Sequence, residues 1–361
     1  MSDLPAGSST GSRQRSLFDL FGSLLPVTLA PPPGASPPAE GVPAAPARDP
    51  LPGDQRPSAV QLAQAVLPAQ AALPARSAPP VPPLRVVVLG SGSGGNAVVV
   101  ESGRNRILVD AGFSSRELVR RLALVGVEPG SLSALVLTHE HVDHCRGAAR
   151  FARRHRLPVF ATAGTLGAID LADETAQGAT VLRSGQPCEV AGFLVEPFLL
   201  PHDAREPIGA VIEDSAGRRL GLVADCGTHS HLAWARLREL DILVMETNHD
   251  LDMLRNGPYP WPLKQRVAGR HGHLSNREAA AGLPELLCDR LRWLVLYHLS
   301  RTNNLPALAA ATLSEALARE GCGARLEVAG QFEPTAWLEA AGATRVAGAT
   351  RVASATGGDP C

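Results

Sequence analysis

A chain of 361 residues with 45% hydrophobic content accommodates one large domain plus extras, or two small domains, with ample material for a core. A net charge near −1 excludes a generally basic nucleic-acid coat, so any polyanion contact must come from local patches or from bound metal. No apolar run approaches the length of a membrane span, and the six scattered cysteines contain no C-x-x-C pair, which reads as a cytoplasmic protein with reduced thiols.

Residues 1–83 hold 18 of the 31 prolines, together with much Ala, Ser and Gly. Such a segment buries too little apolar surface to offset its ordering entropy, and it reads as a disordered arm. One apolar island interrupts it, Q-R-S-L-F-D-L-F at 14–21. Three readings stay open. A signal peptide would use Arg13 and Arg15, but Asp19 and Pro26 break its apolar region. A mitochondrial presequence fits the Arg and Ser content, with Asp3 and Asp19 against it. The third reading is a resemblance: Gln14-Arg15-Ser16-Leu17-Phe18 is similar to the Q-x-[SD]-L-F peptide by which bacterial replication and repair proteins dock on the sliding clamp. Leu17 and Phe18 would fill an apolar pocket, Gln14 would anchor by hydrogen bonds, and the arm would act as a tether.

A single folded domain is expected over 84–335. Leu84–Leu89 reads as a strand, followed by G-S-G-S-G-G-N at 90–96. This matches G-x-G-x-x-G, with Asp110 twenty residues beyond Gly90, as a dinucleotide site requires. A dinucleotide loop must open a helix, however, and here A-V-V-V-E-S and another Gly come next, so the pattern predicts a hairpin. Its glycines allow backbone N–H groups to approach an anion, making Ser91, Gly92 and Asn96 candidate substrate contacts. Asp110 ends a third strand, and Ser114–Val125 reads as a helix capped by Ser114 or Ser115.

Ala134–Thr138 is a short apolar run, and His139, His141, Asp143 and His144 follow at once. Four ligand-type side chains within six positions at a strand end do not serve packing. Imidazole and carboxylate suit Zn, Mn or Fe, and a loop with two ligand sets suits a two-metal site. Cys145–Arg156 reads as a helix with Arg146, Arg150, Arg153 and Arg154 on a basic face beside that loop. Downstream, apolar strands repeatedly end in an acid or histidine: His202 in L-P-H-D-A, Asp225 in D-C-G, E-T-N-H-D at 246–250, and His298 in H-L-S. Leu305–Glu320 reads as an amphipathic helix, and 336–361, with G-A-T-R-V-A twice, reads as a flexible tail.

The H-x-H-x-D-H loop resembles the metallo-β-lactamase superfamily, whose fold is a four-layer α/β sandwich, αββα, with metals at the strand ends. Further blocks narrow the resemblance to the YycJ/WalJ group of bacterial exonuclease-like hydrolases: GSGSGGNA (90–97), PHDA (201–204), ETNHDLDMLRNGPYPWPLKQR (246–266), GHLSN (272–276) and HLSRTNN (298–304). Gly94 departs from the group's usual serine. The resemblance implies that His139, His141 and His202 hold one metal, that Asp143, His144 and His298 hold the other, and that Asp225 bridges, with His273 a competitor of His298. It implies supporting duty for Asp110, catalytic duty for Asp143 and His273, and a substrate contact at Asn303. It further implies a phosphodiesterase acting on DNA ends 5′ to 3′ in mismatch repair. The rivals are an RNA-processing nuclease and a hydrolase of lactones, thioesters or β-lactams. Only about seventy residues separate Asp225 from His298, too few for the large lid of the RNA-processing branch.

Overall fold

The computed structural model describes residues 82–169 and 178–340. The clamp-type peptide (Gln14, Leu17, Phe18), the rest of the arm up to residue 81 and the repeat at 342–353 lie outside the described residues.

The apolar β-branched runs form two seven-stranded sheets. The first contains β1 (Leu84–Gly90), β2 (Ala97–Ser102), β3 (Asn105–Val109), β4 (Ala134–Val136), β5 (Val159–Thr162) and β6 (Ala179–Leu182). The second holds β7 (Cys188–Val190), β8 (Phe193–Leu199), β9 (Ile208–Glu213), β10 (Arg219–Val223), β11 (Ile242–Glu246), β12 (Trp293–Tyr297) and β13 (Arg325–Val328). A final strand, β14 (Leu338–Glu339), returns to the first sheet and pairs antiparallel with β1. Residues 338–339 fall within the stretch expected as tail, so ordered structure runs past residue 335. The Gly-rich stretch is the predicted hairpin turn, with Val86 opposite Val100 in antiparallel β1 and β2.

Strand alternation explains the layering, because successive side chains point to opposite faces. Val86, Val88, Val98 and Val100 face the second sheet and meet Ile212, Leu222, Val244 and Val295 in a central core. Val87, Leu89, Val99 and Leu108 face the opposite way, toward α1 (Ser115–Leu124) and, beyond the single-turn α2 (Val142–Cys145), α3 (Ala148–His155). After the short α4 (Ala163–Leu166), the helices belong to the second half of the chain: α5 (His231–Trp234), α6 (Leu251–Asn256), α7 (Trp261–Val267), α8 (Asn276–Gly282) and α9 (Pro306–Arg319). Of these, α5, α8 and α9 contribute Trp234, Ala279, Leu313 and Leu317 to a third core over Leu243, Leu294 and Leu296. Both sheets are therefore apolar on both faces, as a helix-covered sheet must be. The result is the expected αββα sandwich.

The expected unbroken helix Cys145–Arg156 is instead two pieces, α2 and α3, with Arg146 and Gly147 between them. A Cβ at Gly147 would lie 2.2 Å from the Phe113 carbonyl, and the Gly147 N–H donates to Ala111 O at 2.8 Å. This close backbone approach breaks the helix. Among the described residues no helix is long and apolar enough to cross a membrane.

Candidate metal centre

In the first sheet β3, β4 and β5 run parallel, and in the second β10, β11 and β12 do. Parallel strands deliver their C-terminal residues to one edge, and the loops after them carry the donors. Asp110 follows β3, His139–His144 follow β4, His202 follows β8, Asp225 follows β10, Glu246 ends β11 and His298 follows β12.

Asp110 organises the H-x-H-x-D-H loop. Its Oδ1 accepts from the Thr138 N–H at 2.8 Å, and its Oδ2 accepts from His144 Nδ1 at 2.7 Å. With Nδ1 so engaged, His144 turns Nε2 toward Asp225 Oδ1 (3.5 Å) and Asp143 Oδ2 (3.7 Å). A carboxylate behind a ligating histidine sets its tautomer and raises its basicity. Asp110 thus has the supporting position that the resemblance implied.

Three overlapping groups of donors meet here: His139, His141, His202 and Asp225; Asp225, Glu246, His273 and His298; and Asp143, His144 and His298. Asp225 Oδ2 lies 3.6 Å from His139 Nε2 and 3.5 Å from His202 Nε2, and His202 Nε2 lies 3.2 Å from His141 Nδ1. Asp225 Oδ1 lies 2.9 Å from His298 Nδ1, and His298 Nε2 lies 3.2 Å from Asp143 Oδ2. His139, His144, His202, Asp225 and His298 are all buried, while His141 and Asp143 are partly open. His139 Nε2 is buried without a hydrogen-bond partner among the described residues. An orphaned buried nitrogen inside a dense imidazole and carboxylate cluster fits bound divalent cations. His139, His141 and His202 would hold one, Asp143, His144 and His298 the other, with Asp225 between them.

Charge in the protein alone is balanced by protons. Burial by itself would depress His144, but the Asp225 and Asp110 carboxylates push it up to about 10. Burial acts likewise on His298 and is outweighed by Asp225 and Asp143, which raise it well above the usual range. Burial would raise Asp225, yet His298 and His144 hold it well below the usual carboxylate range. His139, by contrast, is held neutral by burial and by the neighbouring His144. Cations entering such a site displace protons from its imidazoles.

His273 and His298 competed for one place in the sequence, and the fold uses both. His298 is deep, 3% exposed, with a left-handed backbone (φ 57°) pinned by its N–H donating to Ser91 Oγ at 2.7 Å. His273 sits at the rim of a cavity of about 330 Å³ that is also lined by His141, Asp143, Asp225, Arg266 and His298. Its Nδ1 donates to Glu246 Oε1 at 2.7 Å.

Glu246 is the residue that sequence reasoning missed. It is fully buried, and its Oε1 also lies 3.1 Å from His298 Nδ1. Its Oε2 accepts the Cys226 N–H at 2.8 Å and the Leu274 N–H at 3.1 Å. One carboxylate thus orients two histidines and fixes the backbone beside Asp225. The signal was present, because Glu246 ends an apolar strand as the other donors do. Gln at this position keeps the shape but provides one acceptor oxygen for contacts that use two. The expected result for Glu246→Gln is a metal affinity about 10–100-fold weaker, measured by competition with a chelator. Unchanged affinity would show that His298 and His273 do not depend on it.

The substrate contacts expected at Ser91, Gly92, Asn96 and Asn303 fall on buried residues, and at Ser91, Gly92 and Asn96 the polar groups are engaged within the protein. Ser91, Gly92, Asn96 and Asn303 are all buried, and the Gly92 N–H is occupied by Asn96 Oδ1 at 2.8 Å. Asn96 is 0% exposed, its backbone N–H donates to Asp143 O at 2.8 Å, and its Nδ2 lies 3.1 Å from His144 Nε2. Ser91 Oγ is taken by the His298 N–H. These groups brace the metal loop. Within the turn it is Ser93 that is exposed and lines the cavity. Asn303 is likewise 0% exposed; its backbone O receives the Asp250 N–H, while its side-chain amide has no hydrogen-bond partner among the described residues.

Fold and donor set define a metal-dependent hydrolase of the metallo-β-lactamase type. The chain belongs to the β-lactamase superfamily and, within it, to the YycJ/WalJ group. Residues 105–299 match the family described as Beta-lactamase superfamily domain. The chain is 32% identical over 242 residues to Exodeoxyribonuclease YycJ of Bacillus anthracis, covering 66% of this chain and 91% of that one. It is 32% identical over 241 residues to Exodeoxyribonuclease WalJ of Streptococcus pneumoniae, covering 65% and 89%. Among solved structures, the metallo-β-lactamase fold protein YhfI from Bacillus subtilis superposes with a TM-score of 0.56 at 18% identity, covering 70% and 99%.

Proposed function

We propose that this protein is a DNA exonuclease that removes nucleotides from ends in the 5′ to 3′ direction, in mismatch repair. The observation that carries the reading is the cluster of buried histidines and carboxylates at an open cavity, in a chain similar over most of their length to two exodeoxyribonucleases. An open rim suits a polymer end, and the exposed Arg146, Arg150 and Arg154 beside the metal loop suit its phosphates. Bound divalent cations, Zn or Mn, would supply Lewis-acid polarisation and an activated water. Asp143 would orient the attacking water. His273, charged through Glu246, would donate a proton to the leaving alkoxide from the nitrogen not engaged with that carboxylate. The Gln14–Phe18 peptide would tether such an enzyme to the sliding clamp, a reading supported by its sequence alone.

The test is digestion of end-labelled linear duplex DNA, with Mn or Zn supplied, by the wild type and by Asp143→Ala. Stepwise loss of nucleotides from the 5′ end by the wild type only is the expected result. Survival of the DNA would overturn the reading and direct attention to RNA, then to small esters.

A further inference from the structure

Helix α7 has two lined faces. Leu263, Arg266 and Val267, spaced i, i+3, i+4, border the metal cavity. Trp261, Lys264, Gln265 and Ala268 occupy the other face and line a second cavity of about 440 Å³, completed by Leu251, Leu254 and Arg255 of α6. One short helix therefore separates the metal centre from a second depression. The residues that build it lie mostly in the 246–266 block, which metal chemistry does not demand.

The second cavity has an aromatic wall and a cationic rim. Trp261 is 66% exposed, a large apolar ring held in water at the first position of α7. Lys264 Nζ donates to Arg255 O at 2.7 Å, which ties α7 to α6 and fixes the ammonium at the rim. The Arg255 side chain is 70% exposed, and Asp252 at its edge is shared loosely with Arg277, at 3.7 Å from each. An accessible indole flanked by Lys and Arg is what a single strand requires, with bases stacking on the ring and phosphates meeting the cations.

The geometry points to a nucleobase-stacking subsite on Trp261, with Lys264 and Arg255 holding the adjoining phosphates of the substrate strand. It rests on the nuclease reading above and adds the place where the strand is held beyond the cut. A helix with its side chains is about 10–12 Å across. Stacked nucleotides rise about 3.4 Å each, so the base on Trp261 lies about three nucleotides from the phosphate at the metals. Short products would lack this contact.

Two arms test the subsite in the full-length protein. In the cleavage arm, Trp261→Ala raises KM about ten-fold on a single-stranded decamer with kcat unchanged, and leaves KM for a dinucleotide unchanged. Trp261→Phe restores the decamer KM. In the binding arm, on an Asp143→Ala background, anisotropy of a labelled thymidine decamer shows a Kd about ten-fold weaker for Trp261→Ala, again rescued by Phe. Equal losses on decamer and dinucleotide would indicate a merely structural tryptophan and overturn the subsite. Wild-type values throughout would also overturn it, while leaving the nuclease reading intact. If the wild type cleaves no DNA but decamer binding still depends on Trp261, the nuclease reading falls and the subsite stands.

Discussion

Replacing Asp225 with alanine should lower kcat/KM by at least about a thousand-fold and strip metal from both halves of the centre. The carboxylate is 2% exposed and faces both donor groups, with Oδ2 toward His139 and His202 and Oδ1 toward His144 and His298. Its loss removes the carboxylate that faces both sets of histidines. It also takes from His144 and His298, whose ring centroids are 5.5 Å apart, the first of the buried carboxylates that balance them. Two like charges in a buried site resist a divalent cation further. The β10 strand that carries Asp225 keeps its pairing with β9 and β11, so the circular dichroism spectrum should persist. Metal content by elemental analysis is the direct readout. Two equivalents per chain, with turnover within about ten-fold of the wild type, would refute a bridging role.

Gly112→Ala should cost about 3 kcal/mol of stability, seen as a fall in Tm of about 6–12 °C, and at least about a hundred-fold in activity. A Cβ there would lie 1.7 Å from Asp143 O and 2.6 Å from Asn96 N, both backbone atoms that have no rotamer with which to yield. The same strip is laced by hydrogen bonds: Ala111 N–H to His144 O at 2.7 Å, Gly112 N–H to Asn96 O at 2.9 Å, and Asn96 N–H to Asp143 O at 2.8 Å. The new methyl can be relieved only by moving the metal loop, and Asp143 moves with it. Gly130→Ala is the control, because a Cβ there meets nothing within 4 Å. Thermal melting and turnover for the pair settle the point, and a Gly112→Ala protein equal to the control in both would show that the loop absorbs the methyl at no cost.

The helix break at Gly147 and the position of Gly112 share a cause that local pattern does not carry. Cys145–Arg156 has an apolar and a basic face at helical spacing, so the sequence predicts one helix. The break is imposed by Phe113, more than thirty residues earlier, whose carbonyl occupies the space a side chain would need. The strand Ile208–Glu213, unassigned from sequence, is similar: it is apolar like its neighbours, but its identity comes from pairing with β8 and β10. The Gly-rich turn shows the reverse. The apolar, β-branched residues after Asn96 exclude a dinucleotide loop on local grounds, and the antiparallel β1 and β2 bear that out.

What the sequence by itself determined is the set of elements whose signals are local: the strands ending in ligands, the caps, the hairpin and the dense H-x-H-x-D-H loop. Period and spacing report such features directly. Which donors share a centre was left to the tertiary structure, because His139 and His298 are separated by well over a hundred residues and meet only when both sheets deliver their strand ends to one edge. The same convergence turned Glu246 into the support of two histidines, buried Asn96 and Asn303, and gave α7 its two cavities. Each depends on what a residue faces across the sandwich, and a side chain's partner in a distant strand leaves no trace in its own neighbourhood of the chain.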